Sequence, residues 1–339
     1  MYKKLKNKKI LIVGGAGFIG HNLGLKLNKI GAKVSIIDGF EVNNMISMID
    51  NKNQVPFPKL SKSIIQERLD LINKTKIQLF AQDARDYHAV CKLVDKIKPH
   101  VVIHLAAVSH ADRSNKTPFS TFDHSFRTLE NVLDASKNKI EQIIFLSSSM
   151  VFGNFKTKSV DENSICEPIG IYGALKYAAE KIIIAYNQVF NLNYTIIRPS
   201  ALYGERCVSR RVGQIFIENA LNNKKIIING DGKDKLDFTY IEDLTDGITK
   251  CILNKKSYNQ IFNITFGNSR KISEMLKILK DHFPSIKIQF KKRDKLMPKR
   301  GTLSTQKAKK LLKYKSNWPL EKGYPKYIEW YKKIYKKLN

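Results

Sequence analysis

The chain has 339 residues, 42% of them hydrophobic, enough to bury a large α/β domain and a smaller companion. Its net charge of +30 comes from 49 Lys and 11 Arg against 30 acids, but the lysines are scattered rather than gathered into a stripe with stacking aromatics. That pattern argues against specific nucleic-acid binding and leaves only salt-sensitive, non-specific association. No run of 18 or more apolar residues occurs, so no membrane span is expected, and Cys91, Cys166, Cys207 and Cys251 form neither a CxxC pair nor a metal cluster.

The basic start, Met1 to Lys6, leads directly into an apolar strand rather than a signal peptide's long apolar stretch, so a cytoplasmic protein with reduced thiols is expected. Short apolar runs then alternate with amphipathic stretches. Lys9–Val13, Lys33–Ile37, Ile77–Phe80, Val101–His104, Ile143–Leu146 and Tyr194–Ile197 read as buried parallel strands. Ile19–Ile30, Ala89–Lys96, Ser125–Ser136 and Tyr172–Phe190 read as helices between them. This rhythm predicts a doubly wound, parallel α/β sheet of the Rossmann type, covered on both faces. About forty residues separate the second strand from the third; Pro56 and Pro58 precede a helical pattern from about Lys59 to Lys74, a helical excursion near the sheet's ligand edge. From about Arg198 the rhythm breaks into loops, short helices and isolated strands. Residues 1–197 are expected to form the Rossmann domain, rejoined by about 236–265, and 198–339 mainly a smaller substrate-binding domain.

Gly14-Gly15-Ala16-Gly17-Phe18-Ile19-Gly20 follows the first strand and opens the first helix. Gly14 permits the tight turn, Gly17 lets backbone approach a pyrophosphate, and Gly20 lets the helix lie close to the sheet, its N-terminus facing the phosphates. Asp38 ends the second strand eighteen residues after Gly20. An acid there accepts hydrogen bonds from ribose hydroxyls and repels the extra phosphate of NADP, so NAD is the expected cofactor.

Tyr172-Gly173-Ala174-Leu175-Lys176 opens a helix and places Tyr172 and Lys176 one turn apart on one face. A lysine ammonium about 4 Å from a phenol favours the phenolate by roughly 4 kcal/mol at an effective dielectric near 20, before desolvation costs, which brings a tyrosine into general-base range. A second YxxxK match, Tyr2 to Lys6, is read as accidental because nothing chemical precedes it. Before Tyr172, by contrast, the strand Ile143–Leu146 runs into Ser147-Ser148-Ser149-Met150-Val151-Phe152-Gly153, and hydroxyls at the carboxyl end of such a strand point into the ligand crevice.

In this ordered series the sequence resembles the extended short-chain dehydrogenase/reductases, in their branch of NAD-dependent sugar-nucleotide epimerases and dehydratases such as the UDP-glucose 4-epimerase-like proteins. The likeness also takes in Asp83 in QDARD, His104-Leu105-Ala106-Ala107, Arg198-Pro199 through Tyr203-Gly204, Gly230-Asp231-Gly232 leading to Asp237-Phe238, and Lys307 to Leu312. The resemblance implies that Ser148 holds a sugar hydroxyl, Tyr172 removes its proton and Lys176 binds the nicotinamide ribose. It implies cofactor contacts at Gly14, Gly17, Phe18, Ile19, Gly20, Asp38, Asp83, Ala84, Leu105, Ala106, Ala107, Tyr172 and Lys176. It also implies a nucleotide-diphosphate sugar as substrate and a homodimer as the assembly.

Departures from the family pattern narrow the reaction. The family's dehydratases carry acidic residues just after the catalytic hydroxyl residue, and its epimerase–reductases a cysteine where Met150 stands; this chain has Ser149 and Met150. A 4-epimerase, which needs only hydride shuttling at one carbon, is the leading expectation. A 4-dehydrogenase or 4-ketoreductase, a 4,6-dehydratase and a non-catalytic nucleotide- or RNA-associated protein remain open. Ser125, Ala201 and Leu236 stand where the family usually has two asparagines and a diphosphate-gripping arginine. The expected substrate contacts are Ser148, Ser149, Arg206, Arg211 and Arg300, with Arg210 as a further candidate for the diphosphate.

Overall fold

The computed structural model describes residues 5–41, 44–45, 55–108 and 111–338, the side chains of 111–113 apart. Tyr2 of the second YxxxK match, and part of the stretch after Asp38, lie outside the described residues. Seven parallel strands form the central sheet: β1 (Lys9–Val13), β2 (Lys33–Asp38), β3 (Gln78–Ala81), β4 (Val101–His104), β5 (Gln142–Leu146), β6 (Tyr194–Arg198) and β7 (Gln260–Asn263). Their order across the sheet is β7-β6-β5-β4-β1-β2-β3, every neighbouring pair parallel. The chain thus starts in the middle, winds out to β3 and then crosses to the other half. The fold is the doubly wound α/β sheet of the Rossmann type, and the crevice at the carboxyl ends of β1 and β4, where the order reverses, is where such sheets bind ligands.

The strand sequences are apolar on both sides because both faces are covered. Ile10, Ile12, Ile36 and Ile144 join one core with Leu23 and Leu27 of the helix Phe18–Lys29, Ile64 and Ile65 of Pro58–Asn73, and Leu244 and Ile248 of Ile241–Leu253. Leu11, Val13, Ile37, Ile143 and Phe145 point the other way, onto Val90 and Val94 of Tyr87–Ile97, Leu129 and Val132 of Thr128–Ser136, and Ala179 and Ile183 of Gly170–Phe190. Each such fully buried aliphatic side chain contributes about 1.5–3 kcal/mol.

Local signals set the helix ends. Pro58 sits in the first turn of the excursion helix, where its missing N–H costs nothing. The Asp86 side chain accepts from Ala89 N–H and starts the next helix two residues before the apolar pattern begins. The helix expected from Ser125 begins at Thr128 instead, because Asp123–Arg127 forms a π-helical turn in which Ser125 Oγ accepts from Val108 N–H at 3.1 Å. Gly170–Phe190 lacks a capping side chain of its own; Asn115 Oδ1 accepts from Ile171 N–H at 3.1 Å.

Beyond β6 the chain builds short strand pairs, Ile226–Asn229 with Ile288–Lys291 and Lys235–Leu236 with Arg270–Lys271, and the helices Val212–Leu221, Ile272–His282 and Leu320–Leu338. Tyr203, Tyr240, Tyr324, Tyr327 and Tyr331 pack into the same core as β1, so the apolar interior runs without a break from the sheet into this part. No helix among the described residues is long and apolar enough to cross a membrane.

Candidate functional site

The glycine loop is shaped by close approach. Gly14 adopts φ +76°, and a Cβ there would meet Ala106 N at 2.6 Å, so any larger residue would push the loop off the end of β4. A Cβ on Gly20 would lie 2.4 Å from Gly15 Cα. Gly17 caps the helix Phe18–Lys29 without a side-chain bond, which leaves first-turn N–H groups for an anion. Asp38 braces the same loop: Oδ2 accepts from Ala16 N–H at 2.9 Å and Oδ1 from Phe40 N–H at 2.8 Å. Burial raises its pKa, against the Phe40 and Ala16 hydrogen bonds and the charge of Arg68. Each oxygen keeps a lone pair for a ribose hydroxyl.

A cavity of about 130 Å³ runs along this loop. Gly14, Gly17, Phe18, Ile19, Gly20, Asp38, Asp83, Ala84, Leu105, Ala106 and Ala107 all line it, joined by Ser209 and Arg211 from beyond β6. Asp83 is already engaged. Burial works against its charge, but Arg85, whose side chain donates at 2.6 and 2.9 Å, holds it below the usual carboxylate range.

A larger cavity of about 400 Å³ adjoins the first and shares Ile19, Leu105, Ala107 and Arg211 with it, so the two form one cleft. Ser148, Ser149, Tyr172 and Lys176 line its floor. Ser148, two residues past β5, caps a short 3₁₀ turn and accepts from Met150 N–H at 3.2 Å; Ser149 donates to Ser200 Oγ at 3.3 Å, and Ser200 lines the same cavity. The helix bearing Tyr172 and Lys176 is fixed by its next turn. Glu180 receives both Arg198 Nε (3.0 Å) and Nη2 (2.7 Å) and the Ser147 hydroxyl (2.5 Å), a buried ion pair that pins helix to β5 and β6.

Electrostatics at the pair differ from the expectation built on spacing. Burial pushes the Tyr172 phenol above its ordinary value, and the groups opposing burial are the Arg211 guanidinium and the Ser148 hydroxyl. Lys176, expected in that role, directs Nζ to the Leu146 carbonyl at 2.6 Å. Burial brings its ammonium down to about 8, with Glu180 opposing.

The arginines divide. Arg206 does not line either cavity: its side chain reaches back to His21 Nε2 (2.9 Å) and Asn22 Oδ1 (2.8 Å) on the glycine-loop helix, which corrects the expectation of a diphosphate contact. Arg210 lines the larger cavity but is paired with Glu218 at 2.7 Å. Arg211 and Arg300 both line it and each has a buried Nε without a hydrogen-bond partner. Burial brings Arg300 down to about 10, opposed by Asp234. Buried guanidinium N–H groups without partners in a cavity wall await an anion, since leaving them bare costs free energy. Arg293, which sequence reasoning passed over within a run of lysines, also lines the wall, held by Asp234 at 3.0 Å. Leu236 and Ala201 complete the wall as apolar surface.

The cradle, the acid at the end of β2 and the adjoining phenol–lysine pair fit a dinucleotide with a second ligand beside it. The profile of the NAD dependent epimerase/dehydratase family matches residues 10–265. The chain belongs to that family. It is similar to a putative UDP-glucose 4-epimerase of Methanocaldococcus jannaschii, 32% identical over 80% of this chain and 81% of that one. It is 29% identical to a dTDP-D-glucose 4,6-dehydratase of Dictyostelium discoideum, over 79% of this chain and 60% of that one. Its fold matches the crystal structure of a UDP-glucuronic acid 4-epimerase from Bacillus cereus in complex with UDP-glucuronic acid and NAD, with a TM-score of 0.83 and 27% identity over 96% of this chain and 99% of that one. This chain is thus an enzyme of nucleotide-sugar chemistry, and NAD is its cofactor.

Proposed function

We propose that this family member is a nucleotide-sugar 4-epimerase. The observation that carries the reading is the scarcity of acid in the larger cavity. Among the described residues that line it Asp234 is the single carboxylate, and it is paired with Arg293. Expelling water from a sugar needs a free acid beside the reacting ring; inverting one carbon does not.

In this reading Tyr172 takes the proton of the ring hydroxyl, and Ser148 orients that hydroxyl. Bound NAD supplies the hydride acceptor and then the donor. Lys176 holds the nicotinamide ribose while keeping its grip on β5. Arg211 and Arg300 hold the substrate diphosphate, in place of the arginine that Leu236 replaces, and residues 198–339 supply most of the substrate side of the cleft. A homodimer belongs to the same proposal: Phe119 is 86% exposed, with Phe122 and Ile171 also exposed on packed neighbouring helices, an apolar patch that a second copy would cover. Sedimentation of the purified chain tests the assembly.

The reaction is tested by incubating the protein with UDP-glucose, UDP-galactose, UDP-glucuronate and UDP-N-acetylglucosamine and following C4 by NMR. Inversion without net NADH is the expected outcome. A dehydrated 4-keto product, or stoichiometric NADH, would replace this reading by a dehydratase or a dehydrogenase.

A further inference from the structure

The excursion helix Pro58–Asn73 carries an arginine in an unusual place. Arg68 is 1% exposed. Among the described residues it pairs with no carboxylate; instead Nε and Nη2 both donate to the backbone carbonyl of Arg206, at 2.8 and 2.5 Å. Burial brings it down only to about 10, with Cys207 and Asp38 opposing, so it stays charged at neutral pH.

The carbonyl it holds lies in a difficult stretch of backbone. Arg206 has φ +64° and Arg210 φ +51°, two L residues in the left-handed region within five positions. Such residues stay there only when their surroundings fix them. Arg206 is fixed twice: by Arg68 at its carbonyl and, through its side chain, by His21 and Asn22 on the glycine-loop helix and by Glu67 at 3.4 Å. His21 in turn contacts the Gly17 carbonyl through Nδ1 at 2.8 Å. Burial and the two nearby arginines keep that ring neutral, so Nδ1–H donates to Gly17 while Nε2 accepts from Arg206. Past this clamp the chain reaches Ser209, which lines the smaller cavity, and Arg211, which lines both.

We propose that Arg68 is a positioning residue: by locking the Arg206 turn it delivers Arg211 to the mouth shared by the two cavities, and the His21 link ties that delivery to the glycine loop. The helical excursion is then a strap between cofactor loop and substrate segment. The placement does not depend on which anion the larger cavity takes; its use in holding a nucleotide diphosphate rests on the proposed function.

The test compares Arg68→Met, Arg68→Lys, Arg211→Met and the double variant Arg68→Met/Arg211→Met in the full chain. Amide hydrogen exchange over 205–213 should rise at least about tenfold in Arg68→Met, while β1 and β5 keep wild-type protection. Arg68→Lys, which retains a donor, should recover part of it. UDP affinity should fall about tenfold in each Met variant and no further in the double variant, because both remove one contact. A merely structural role would lower the melting temperature and leave the two losses additive. Should Arg68→Met fail to fold, Arg68→Gln, which keeps at most one of the two donors to the Arg206 carbonyl, is carried through the same comparison with Arg211→Met. Unchanged exchange over 205–213, or additive losses, would overturn the inference. Failure of the wild type to bind UDP counts against the proposed function instead, and the exchange result still decides the role of Arg68.

Discussion

Lys176 Nζ lies 2.6 Å from the Leu146 carbonyl, so the lysine of the YxxxK motif clasps the end of β5, two residues before Ser148. The contact holds the two halves of the floor in register, and it keeps an ammonium where burial disfavours charge.

That cost gives the first prediction. The Lys176 pKa falls to about 8 on folding from an ordinary 10.5. Below about pH 8 the lysine is charged in both states and folding bears its full desolvation cost. Between about 8 and 10.5 the unfolded chain binds the extra proton, so stability rises with pH, and above that range the gain is complete. Relative to Lys176→Met, the wild type should therefore gain of order 3 kcal/mol across this window. Urea denaturation of both proteins at several pH values checks it; a constant gap would show that the group titrates equally in both states.

The second prediction concerns the ion pair that anchors the same helix. Glu180 and Arg198 are both buried and joined by two hydrogen bonds. Glu180→Ala leaves a buried guanidinium uncompensated and should cost about 3–5 kcal/mol. Replacing Lys8, whose pairing with Glu141 is half exposed, should change stability by under about 1 kcal/mol. Comparable losses for the two would contradict the assignment.

Both pairs show how far the sequence reaches. The alternation of Ile10 and Ile12 with Leu11 and Val13 marks a strand buried on both faces, and the spacing of Gly14, Gly17 and Gly20 marks the tight turn that lines the smaller cavity, because both depend on neighbours a few residues away. Ser148, Tyr172 and Lys176, taken from motifs, all line the larger cavity. Where a long side chain turns is decided by partners far along the chain. Arg206 finds His21 across 185 positions, and Arg68 finds Arg206 across 138. Asp237, quoted for its motif, serves as a buried hub: Gly267 N–H, Leu303 N–H and Thr265 Oγ1 all donate to it, and burial raises it to about 6. No local pattern in the sequence distinguishes such a hub from a ligand contact.

Asp38 carries the third prediction. Its carboxylate is anchored by Ala16 and Phe40 N–H groups, so its position is set before any nucleotide arrives. NAD should bind more tightly than NADP, whose 2′-phosphate would meet that charge. Asp38→Asn keeps the side chain's size and should narrow the preference mainly by improving NADP. Calorimetry with both dinucleotides on wild type and variant measures this; tighter NADP binding to the wild type would refute it.

Arg300 gives the fourth. Its Nε is buried without a partner, and its neighbour Arg293 opposes its charge. Arg300→Met should raise the melting temperature of the free protein while weakening UDP binding, the trade expected where a site stores destabilising charge for a ligand. The loss of a charge-assisted contact should be about 1.5–3 kcal/mol, or roughly 10- to 100-fold in affinity. A variant that loses stability without losing affinity would place Arg300 in the fold rather than the site.

The last prediction concerns the path of the hydride. With Tyr172 as base, and no carboxylate but the Arg293-paired Asp234 among the described residues lining the larger cavity, the hydrogen on C4 should leave and return. A substrate deuterated at C4 should give an epimer that retains deuterium at C4, with little label in solvent or added NAD. Tyr172→Phe should slow this exchange by roughly 10²–10⁴-fold, the contribution of general-base catalysis, while NAD stays bound because the glycine loop and Asp38 are untouched. The pH profile separates base from bystander. Burial and Arg211 act on the phenol in opposite directions, and Arg211 lowers its pKa. Arg211→Met should then shift the rising limb of turnover to higher pH, beyond any effect on substrate affinity. A rising limb that stays in place would show that Arg211 does not act on the Tyr172 phenol. Washout of deuterium to solvent during inversion would mean a proton rather than a hydride moves at that carbon, and Tyr172 would need another role.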